Sequence, residues 1–411
     1  MKKNHLSLYL KKFAEAKALE ISAAIECDCP FKHVLVIPAY DENIEFLEKL
    51  NKSVLSQNAL LIILVINQPD NIAPTQINQQ LWQNSSKMGD IISKGENYHF
   101  SQWPNTQSCL VAVNCFSLEK RLPPKQGVGL ARKIGCDIAI ALIESQDICS
   151  QWIHTTDADT QLPDDYFTRS PKDSRYSAAI YPFKHHSTLK HQSSNEILEA
   201  TLLYEASLQY YVDGLTYAKS IYAHHSLGSC ITVNAIYYAQ ARGFPKRAGG
   251  EDFYLLNKLK KLADIKQLDG TPLLISARAS NRAPFGTGPA VNKIIEDQLS
   301  FHTYLYYNPK VFEDLRRVIC HFTSLFSAKT DTQAWLNQLP EIPQNALKEV
   351  GIQSLLTHVE TQIKNESQCT KHTSDWFDAF KTLKFIHYLG SHYERIALDS
   401  AIDQLAISSD N

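Results

Sequence analysis

Residues 33–43 read HVLVIPAYDEN, an apolar run rich in β-branched residues that stops at Pro38. Such a run predicts a short buried strand over 33–37, because proline lacks the amide that would continue a ladder of hydrogen bonds. ALLIILVI at 59–66 predicts a second buried strand, and CLVAV at 109–113 predicts a third. Apolar runs without apolar–polar alternation are typical of strands buried on both faces, as in parallel sheets.

Helical patterns separate these strands. Apolar residues share one face of a predicted helix over 43–57, and apolar residues four apart predict a longer helix over 127–144. We expect further strands near 151–155, 178–182, 230–234 and 273–276, and further helices over 195–222 and 249–259. Strands that alternate with helices predict an α/β fold, in which helices flank a mostly parallel sheet.

The two ends of the chain differ from its centre. The first 25 residues carry apolar side chains at helical spacing, which predicts an N-terminal helical extension. From about residue 290 only helical patterns occur, with loops expected near 327–345 and 366–373. For 411 residues, this organisation predicts one enlarged α/β domain followed by a helical C-terminal region.

Composition argues against several classes of protein. A net charge of −2 gives no electrostatic basis for a nucleic-acid partner. The nine cysteines are odd in number and irregularly spaced, which is typical of reduced thiols in a cytoplasmic protein. No secretion signal is visible, and the longest apolar run, 59–66, is far shorter than the roughly 20 residues that cross a bilayer. We expect a cytoplasmic protein without a transmembrane segment, for which peripheral contact with the inner face of the membrane stays open.

The sharpest chemical feature is Asp157-Ala158-Asp159, which follows a predicted strand. In parallel sheets, ligands bind beyond the carboxyl ends of the strands. Two carboxylates at such a place can hold a hard cation such as Mg²⁺ or Mn²⁺, which takes diphosphate oxygens as its other ligands. The alternative is an acidic turn that only caps a loop.

The paired histidines at 185–186 and 224–225 have no companions at metal-ligand spacing, and we expect them at the surface or as caps.

Four blocks in this order resemble the family 2 glycosyltransferases: HVLVIPAYDEN at 33–43, GVGLARKIGCDIA at 127–139, WIHTTDADTQLP at 152–163, and SLGSCITVNAIYYAQARGFPKRAGGEDFYLLNKL at 226–259. The resemblance implies a GT-A type, Rossmann-like domain over 31–289, between an N-terminal extension at 1–30 and the helical region at 290–411. It also implies metal-dependent transfer of a sugar from a nucleotide diphosphate donor, of UDP or GDP type, to an acceptor hydroxyl. The acceptor is not identified by the resemblance.

The resemblance also assigns residues to the donor. Those expected to contact it are Pro38, Tyr40, Asp41, Glu42, Asn67, Arg132, Asp157, Arg278 and Arg282. Asp157 and Asp159 match the family's metal-binding pair. Asp41 has an alternative role as a helix cap, Asn67 competes with Asp70 for the base, and Arg278 and Arg282 have an alternative as a basic surface loop. Lys133 departs from the family, which usually has asparagine at this position.

Gly249-Gly250-Glu251-Asp252 precedes a predicted helix, where acidic residues commonly interact with the helix dipole. In the family, a carboxylate at this position deprotonates the acceptor hydroxyl, a poor nucleophile that needs a positioned base. We favour Asp252 over Glu251 as this base, and a base there favours direct displacement with inversion.

Three alternatives remain at this stage. Asp157 to Thr160 match the DxDxT of haloacid dehalogenase-like phosphatases, although the strand before them is only moderately apolar. A nucleotidyltransferase would use a related sheet and metal, but residues 39–46 lack its Gly-rich activating loop. A catalytically inactive nucleotide-sugar-binding protein would keep the fold. It would more often have lost one of the carboxylates of Asp157, Asp159, Glu251 and Asp252, all of which are present.

Overall fold

The computed structural model of the protein describes residues 3–26, 29–187, 192–280, 282 and 286–409. The chain forms two compact units. The first comprises Met1–Lys190 and Ser226–Pro289, and the second comprises His191–His225 and Ala290–Asn411. The N-terminal extension predicted at 1–30 therefore belongs to the first unit, and residues 191–225, within the domain predicted at 31–289, are grouped with the helical unit.

Strands and helices are numbered in chain order. The strands are β1 His33–Ala39, β2 Leu60–Asn67, β3 Asp90–Lys94, β4 Tyr98–Gln102, β5 Cys109–Cys115, β6 Trp152–Thr155, β7 Thr160–Gln161, β8 Tyr176–Ile180, β9 Phe183–His186, β10 Ile231–Asn234, β11 Asp264–Gln267, β12 Leu273–Ser276, β13 Leu305–Tyr306 and β14 Ile396–Ala397. The α-helices are α1 Lys3–Lys12, α2 Ala16–Ala23, α3 Glu45–Lys52, α4 Gln76–Ser85, α5 Gly127–Ser145, α6 Gln192–Tyr217, α7 Ala235–Gln240, α8 Glu251–Leu262, α9 Thr287–Glu296, α10 Lys310–His321, α11 Thr332–Leu336, α12 Glu341–Glu349, α13 Ile352–Thr361, α14 Glu366–Trp376, α15 Ala379–Gly390 and α16 Leu398–Ser409.

The first unit is built on a large sheet whose order, within the described residues, is β11-β8-β10-β6-β1-β2-β5-β4-β3. Strands β10 and β4 run against their neighbours, so the other strands of this sheet share one direction. The predicted α/β class, with a mostly parallel sheet flanked by helices, is confirmed. Because β6, β1 and β2 are adjacent and parallel, their carboxyl ends lie side by side. A small sheet of β7, β12 and β9 accompanies the large one.

Burial on both faces explains why the central strands read as continuous apolar runs. Val34 and Val36 belong to one apolar cluster, whereas Leu35 and Ile37 belong to the cluster on the opposite face. Helix α5 covers the first face closely: a Cβ at Gly135 would lie 2.4 Å from the Val36 side chain. These contacts keep α5, and the residues at its start, in a fixed place over β1.

The structure differs from the sequence-based expectations at four places. The helix predicted over 43–57 ends at Lys52, and Val54–Gln57 form a separate 3₁₀ turn. The loop predicted at 366–373 is part of α14, which the Asn365 side chain caps by accepting the Gln368 amide; likewise, α11 and the start of α12 lie within 327–345. The hairpin of β3 and β4 was not predicted, because most of β3 is exposed and lacks an apolar pattern.

The second unit has its own apolar core. Helix α6 and the helices from α10 onward enclose large side chains such as Tyr210, Phe312, Trp335 and Phe385. Helix α10 approaches α6 where a glycine leaves room, since a Cβ at Gly214 would lie 2.5 Å from the Phe312 ring. Across the described part of the chain, no helix has the length and apolar character needed to cross a membrane.

A candidate active site at the carboxyl ends of the strands

A pocket of about 320 Å³ opens in the first unit where β1, β2 and β6 end. Most of the side chains expected to meet a donor or a metal line it, namely Pro38, Tyr40, Glu42, Asn67, Arg132, Asp157, Asp159, Arg278 and Arg282. These residues come from five separate stretches of the sequence. Their convergence at the carboxyl ends of parallel strands is the placement at which α/β sheets bind ligands.

Backbone hydrogen bonds fix the Asp157–Asp159 turn. The chain leaves β6 with the Thr156 amide donating to the Val36 carbonyl at 3.1 Å. Further along, the Asp159 carbonyl accepts the Ser276 amide at 3.0 Å, which ties the turn to the end of β12. The two carboxylates are therefore held by backbone on both sides, and they differ in exposure: the Asp157 side chain is 36% exposed and that of Asp159 is 14% exposed.

Arg132 lies between two carboxylates, and we call Arg132, Asp157 and Glu251 the Arg132 cluster. Its guanidinium donates to both Asp157 and Glu251. Burial alone would lower the pKa of Arg132, but the carboxylates of Asp157 and Glu251 raise it above its ordinary value. A Cβ at Gly228 would lie 2.5 Å from the guanidinium carbon, so only glycine leaves room for this side chain.

Lys133, the departure from the family pattern, points into a different network. Its ammonium donates to Asp137 at 2.9 Å and to the Tyr9 hydroxyl at 2.7 Å. Tyr9 in turn donates to Asp137 at 2.5 Å, and the Glu15 amide donates to the same carboxylate at 2.9 Å. The lysine therefore joins α5 to the N-terminal helices, and the same α5 positions Arg132 one residue earlier.

The loop after β12 brings a second set of charges, which we call the loop-arginine cluster: Arg278, Arg282, Glu42 and Asp159. Arg278 donates to Glu42 at 2.6 Å and pairs with Asp159 at 2.7 Å. Arg282 donates to Glu42 at 2.7 Å and to the Tyr40 carbonyl at 2.5 Å. Burial raises the pKa of Asp159 to about 6, although Arg278 acts in the opposite direction.

Asp41 lies apart from the pocket lining. It adopts a left-handed backbone conformation with φ 53°, and its carboxylate accepts the Thr75 hydroxyl at 2.5 Å. It does not cap the next helix, which begins after Ile44 without a side-chain cap.

Asn67 and Asp70 are the two candidates for contact with the base of the donor after β2. Asn67 lines the pocket and donates to the Ala39 carbonyl at 3.2 Å, whereas Asp70 is not part of the lining. Contact of Asp41 with a base stays a prediction.

Glu251 and Asp252 begin α8 in different environments. Glu251 is buried, with a side chain 4% exposed, and Arg132 binds its carboxylate. Asp252 is half-buried and accepts the Phe253 amide at 2.7 Å. Burial, together with the charge of Glu251, raises the pKa of Asp252 to about 7. The two neighbouring carboxylates therefore differ: one is committed to an ion pair, and the other can exchange a proton near neutral pH.

The pocket also contains a residue that sequence reasoning placed elsewhere. His185 was expected at the surface or as a cap, but it is 6% exposed and lines the pocket from β9. Its position depends on the pairing of β9 with β12, in which His185 lies opposite Ile275. Within the described parts of the chain, no group of three or more His, Cys, Asp or Glu converges as a metal site.

Comparisons with known proteins add little to this geometry. No protein-family model matches the sequence, and no curated protein sequence matches it. Among solved structures, the chain is similar to the crystal structure of S. aureus TarS 1-349 in complex with UDP-GlcNAc. The sequence identity is 12% over 84% of this chain and 91% of that chain, with a TM-score of 0.38. At this level of similarity, the function has to be inferred from the residues of the pocket.

Proposed function

We propose that the pocket binds a nucleotide diphosphate sugar, of UDP or GDP type, and that the protein transfers the sugar to an acceptor hydroxyl. The observation that carries this proposal is the convergence of Asp157, Asp159, Arg278 and Arg282 on one pocket at the ends of β1, β2 and β6. The pocket combines carboxylates for a hard cation with arginines for phosphate oxygens.

The charges of the pocket support a requirement for a divalent cation. Each of its three arginines is paired with carboxylates: Arg132 with Asp157 and Glu251, and the loop arginines with Glu42 and Asp159. A diphosphate would therefore add negative charge to a site whose positive charge is already balanced. A divalent cation, when bound, supplies the missing positive charge and stabilises a departing diphosphate.

The residues present fit Mg²⁺ or Mn²⁺ held jointly with a substrate. Mg²⁺ is usually bound by one or two carboxylates together with substrate phosphates and water, rather than by a cage of protein ligands. Asp157 and Asp159 would be those carboxylates. The cation would replace Arg278 as the partner of Asp159.

We assign the acceptor's proton to Asp252. A general base works best when its pKa lies near the working pH, and the pKa of Asp252 is raised to about 7. Glu251 is less suited because its carboxylate is engaged by Arg132. In the proposed step, Asp252 takes the hydroxyl proton as the acceptor oxygen bonds to the anomeric carbon. The bond from that carbon to the diphosphate breaks, and the diphosphate leaves with the electron pair, which inverts the configuration.

A thermal-shift panel tests the class of ligand. UDP, GDP and their sugars would be added to the full chain with and without Mn²⁺, because a ligand that binds only the folded state raises Tm. We expect at least one nucleotide diphosphate to raise Tm, and to raise it more with Mn²⁺. In Asp159→Asn, the matched control, the metal-dependent part of the shift should disappear. If no nucleotide diphosphate raises Tm in either condition, the proposal is wrong.

A further inference from the structure

A second cavity, of about 190 Å³, lies within the helical unit. Its walls come from the chain after α6, from the end of α10 and from α14. Tyr222, Thr373 and Phe377 form a buried floor, whereas Ile221, at the rim, is 45% exposed. The cavity is therefore open to solvent at one side and closed at the other, as a binding site for a small molecule must be.

Aromatic contacts fix the shape of this cavity. The rings of Phe322 and Phe377 meet edge to face at 5.4 Å. Phe377 also contacts Phe385 at 5.6 Å, and Phe322 stacks on Trp335 at 5.9 Å. Since each wall ring is held by a second ring, the walls are preformed. An apolar cavity of roughly 150 Å³ is known to hold a benzene molecule, so this volume suits one substituted ring.

The floor carries a polar group that points to a specific kind of ligand. Thr373 is 4% exposed, and among the described residues the Cys369 thiol is the one hydrogen-bonding neighbour found for its hydroxyl. The thiol lies one turn earlier; burial raises the pKa of Cys369, and its hydrogen bond with the Thr373 hydroxyl acts in the opposite direction. A thiol is only a weak acceptor. Burying a hydroxyl without a strong hydrogen-bond partner costs free energy, and a hydrogen bond to a ligand oxygen would offset that cost.

We propose that this cavity binds a small apolar molecule, about the size of one substituted benzene ring, that carries a carbonyl oxygen as acceptor for the Thr373 hydroxyl. The apolar body packs between Ile319, Phe322 and Phe377, which together line the cavity. Two other hydroxyls of the lining are less available, because Thr323 donates to the Cys320 carbonyl at 2.7 Å and Tyr222 donates to the Ser374 carbonyl at 3.3 Å.

The test uses two probes of nearly equal shape, acetophenone and ethylbenzene, which differ in the carbonyl. Their affinities for the full chain would be measured by saturation-transfer NMR titration in the native protein and in Thr373→Val, which keeps the side-chain shape and removes the hydroxyl. We expect both probes to bind, and we expect Thr373→Val to shift the affinity ratio about 3- to 10-fold towards ethylbenzene. Ile319→Trp, which fills the cavity, should abolish binding of both.

Two results would overturn the proposal. Absence of saturation transfer to either probe would mean that the cavity does not take an apolar ring. An unchanged affinity ratio in Thr373→Val would mean that the hydroxyl does not select a carbonyl oxygen. If Ile319→Trp does not fold, the comparison of the native protein with Thr373→Val still tests whether the hydroxyl selects a carbonyl oxygen, because valine has nearly the same volume as threonine.

Discussion

The Arg132 cluster and the loop-arginine cluster have similar chemistry but opposite settings. In the Arg132 cluster, the Arg132 and Glu251 side chains are each 4% exposed, and Gly228 closes the space beside the guanidinium. In the loop-arginine cluster, the Arg278 side chain is 36% exposed and that of Arg282 is 28% exposed. In both clusters, arginine side chains that line the same pocket are paired with carboxylates, so burial rather than residue type distinguishes the two clusters.

This difference separates two roles for arginine in one site. A buried arginine bound by two carboxylates cannot leave without exposing uncompensated charge, so Arg132 acts as a fixed part of the scaffold. Ion pairs whose arginines are partly exposed are weaker, and their partners exchange at lower cost. Arg278 and Arg282 are therefore the arginines that we expect to move from Glu42 and Asp159 to a diphosphate.

The largest expected effect is on stability. Arg132→Ala would leave Asp157 and Glu251 without their cation, and we expect it to lower the free energy of unfolding by about 3–5 kcal/mol. Arg278→Ala, the matched variant in the exposed cluster, should cost about 1 kcal/mol or less. Urea unfolding of both variants measures the difference. Equal losses would show that the two clusters are not distinguished by burial, and Arg132→Lys serves if the alanine variant does not fold.

The second-largest expected effect is on the pH dependence of the free energy of unfolding. The pKa of Asp252 is about 7 in the folded protein, above its ordinary value of 3.8. Between these values the folded state binds more protons than the unfolded state, so stability falls as pH rises from about 4 to 7. Asp252→Asn should remove this fall and stabilise the protein at pH 8 by on the order of 2–4 kcal/mol.

Asp264→Asn provides the control for this pH dependence. The pKa of Asp264 is lowered by its hydrogen bond with Lys260, so its contribution is lost as pH falls rather than as it rises. Denaturant unfolding from pH 4 to 8 would compare both variants with the native protein. A parallel pH dependence in Asp252→Asn and the native protein would contradict the raised pKa.

The smallest expected effect concerns competition between Arg278 and a cation for Asp159. Without nucleotide, Arg278→Ala should bind Mn²⁺ about two- to fivefold more tightly, because a weak competing pair is removed. With a nucleotide diphosphate present, the same variant should bind the nucleotide more weakly, because a phosphate partner is lost. Arg282→Ala is the matched control, since Arg282 pairs with Glu42 rather than Asp159. Calorimetry that finds no gain in Mn²⁺ affinity for Arg278→Ala would exclude the competition.

Local sequence patterns predicted the fold better than they predicted the site. The strand at 33–37 was predicted because a doubly buried strand leaves a continuous apolar run, and the helix at 127–144 because one of its faces is apolar. The placement of His185 in the pocket could not be predicted, because it depends on pairing between β9 and β12, which are about 90 residues apart in sequence. The same holds for Lys133, whose partner Tyr9 lies 124 residues earlier.

Polar segments were the other source of error. The sequence at 366–373 was interpreted as a loop because it lacks an apolar stripe, yet Asn365 caps a helix there. Asp41 illustrates the same limit within the site. The resemblance assigned Asp41 to the donor's base, which stays a prediction, but the hydrogen bond that the Thr75 hydroxyl donates to its carboxylate was not predicted, because the two residues are far apart in sequence.

The most direct test of the proposed transferase compares Asp252→Asn with Asp159→Asn. Calorimetric binding of the donor in the presence of Mn²⁺ and transfer of its sugar would be measured for both variants. Asp252→Asn should keep donor affinity close to that of the native protein while transfer falls by about 10²-fold or more, the usual contribution of a positioned general base. Asp159→Asn should lose metal-dependent donor binding and transfer together. Native donor binding and transfer in Asp159→Asn would contradict the proposed site, and donor binding without transfer in the native protein would indicate a binding protein instead of an enzyme.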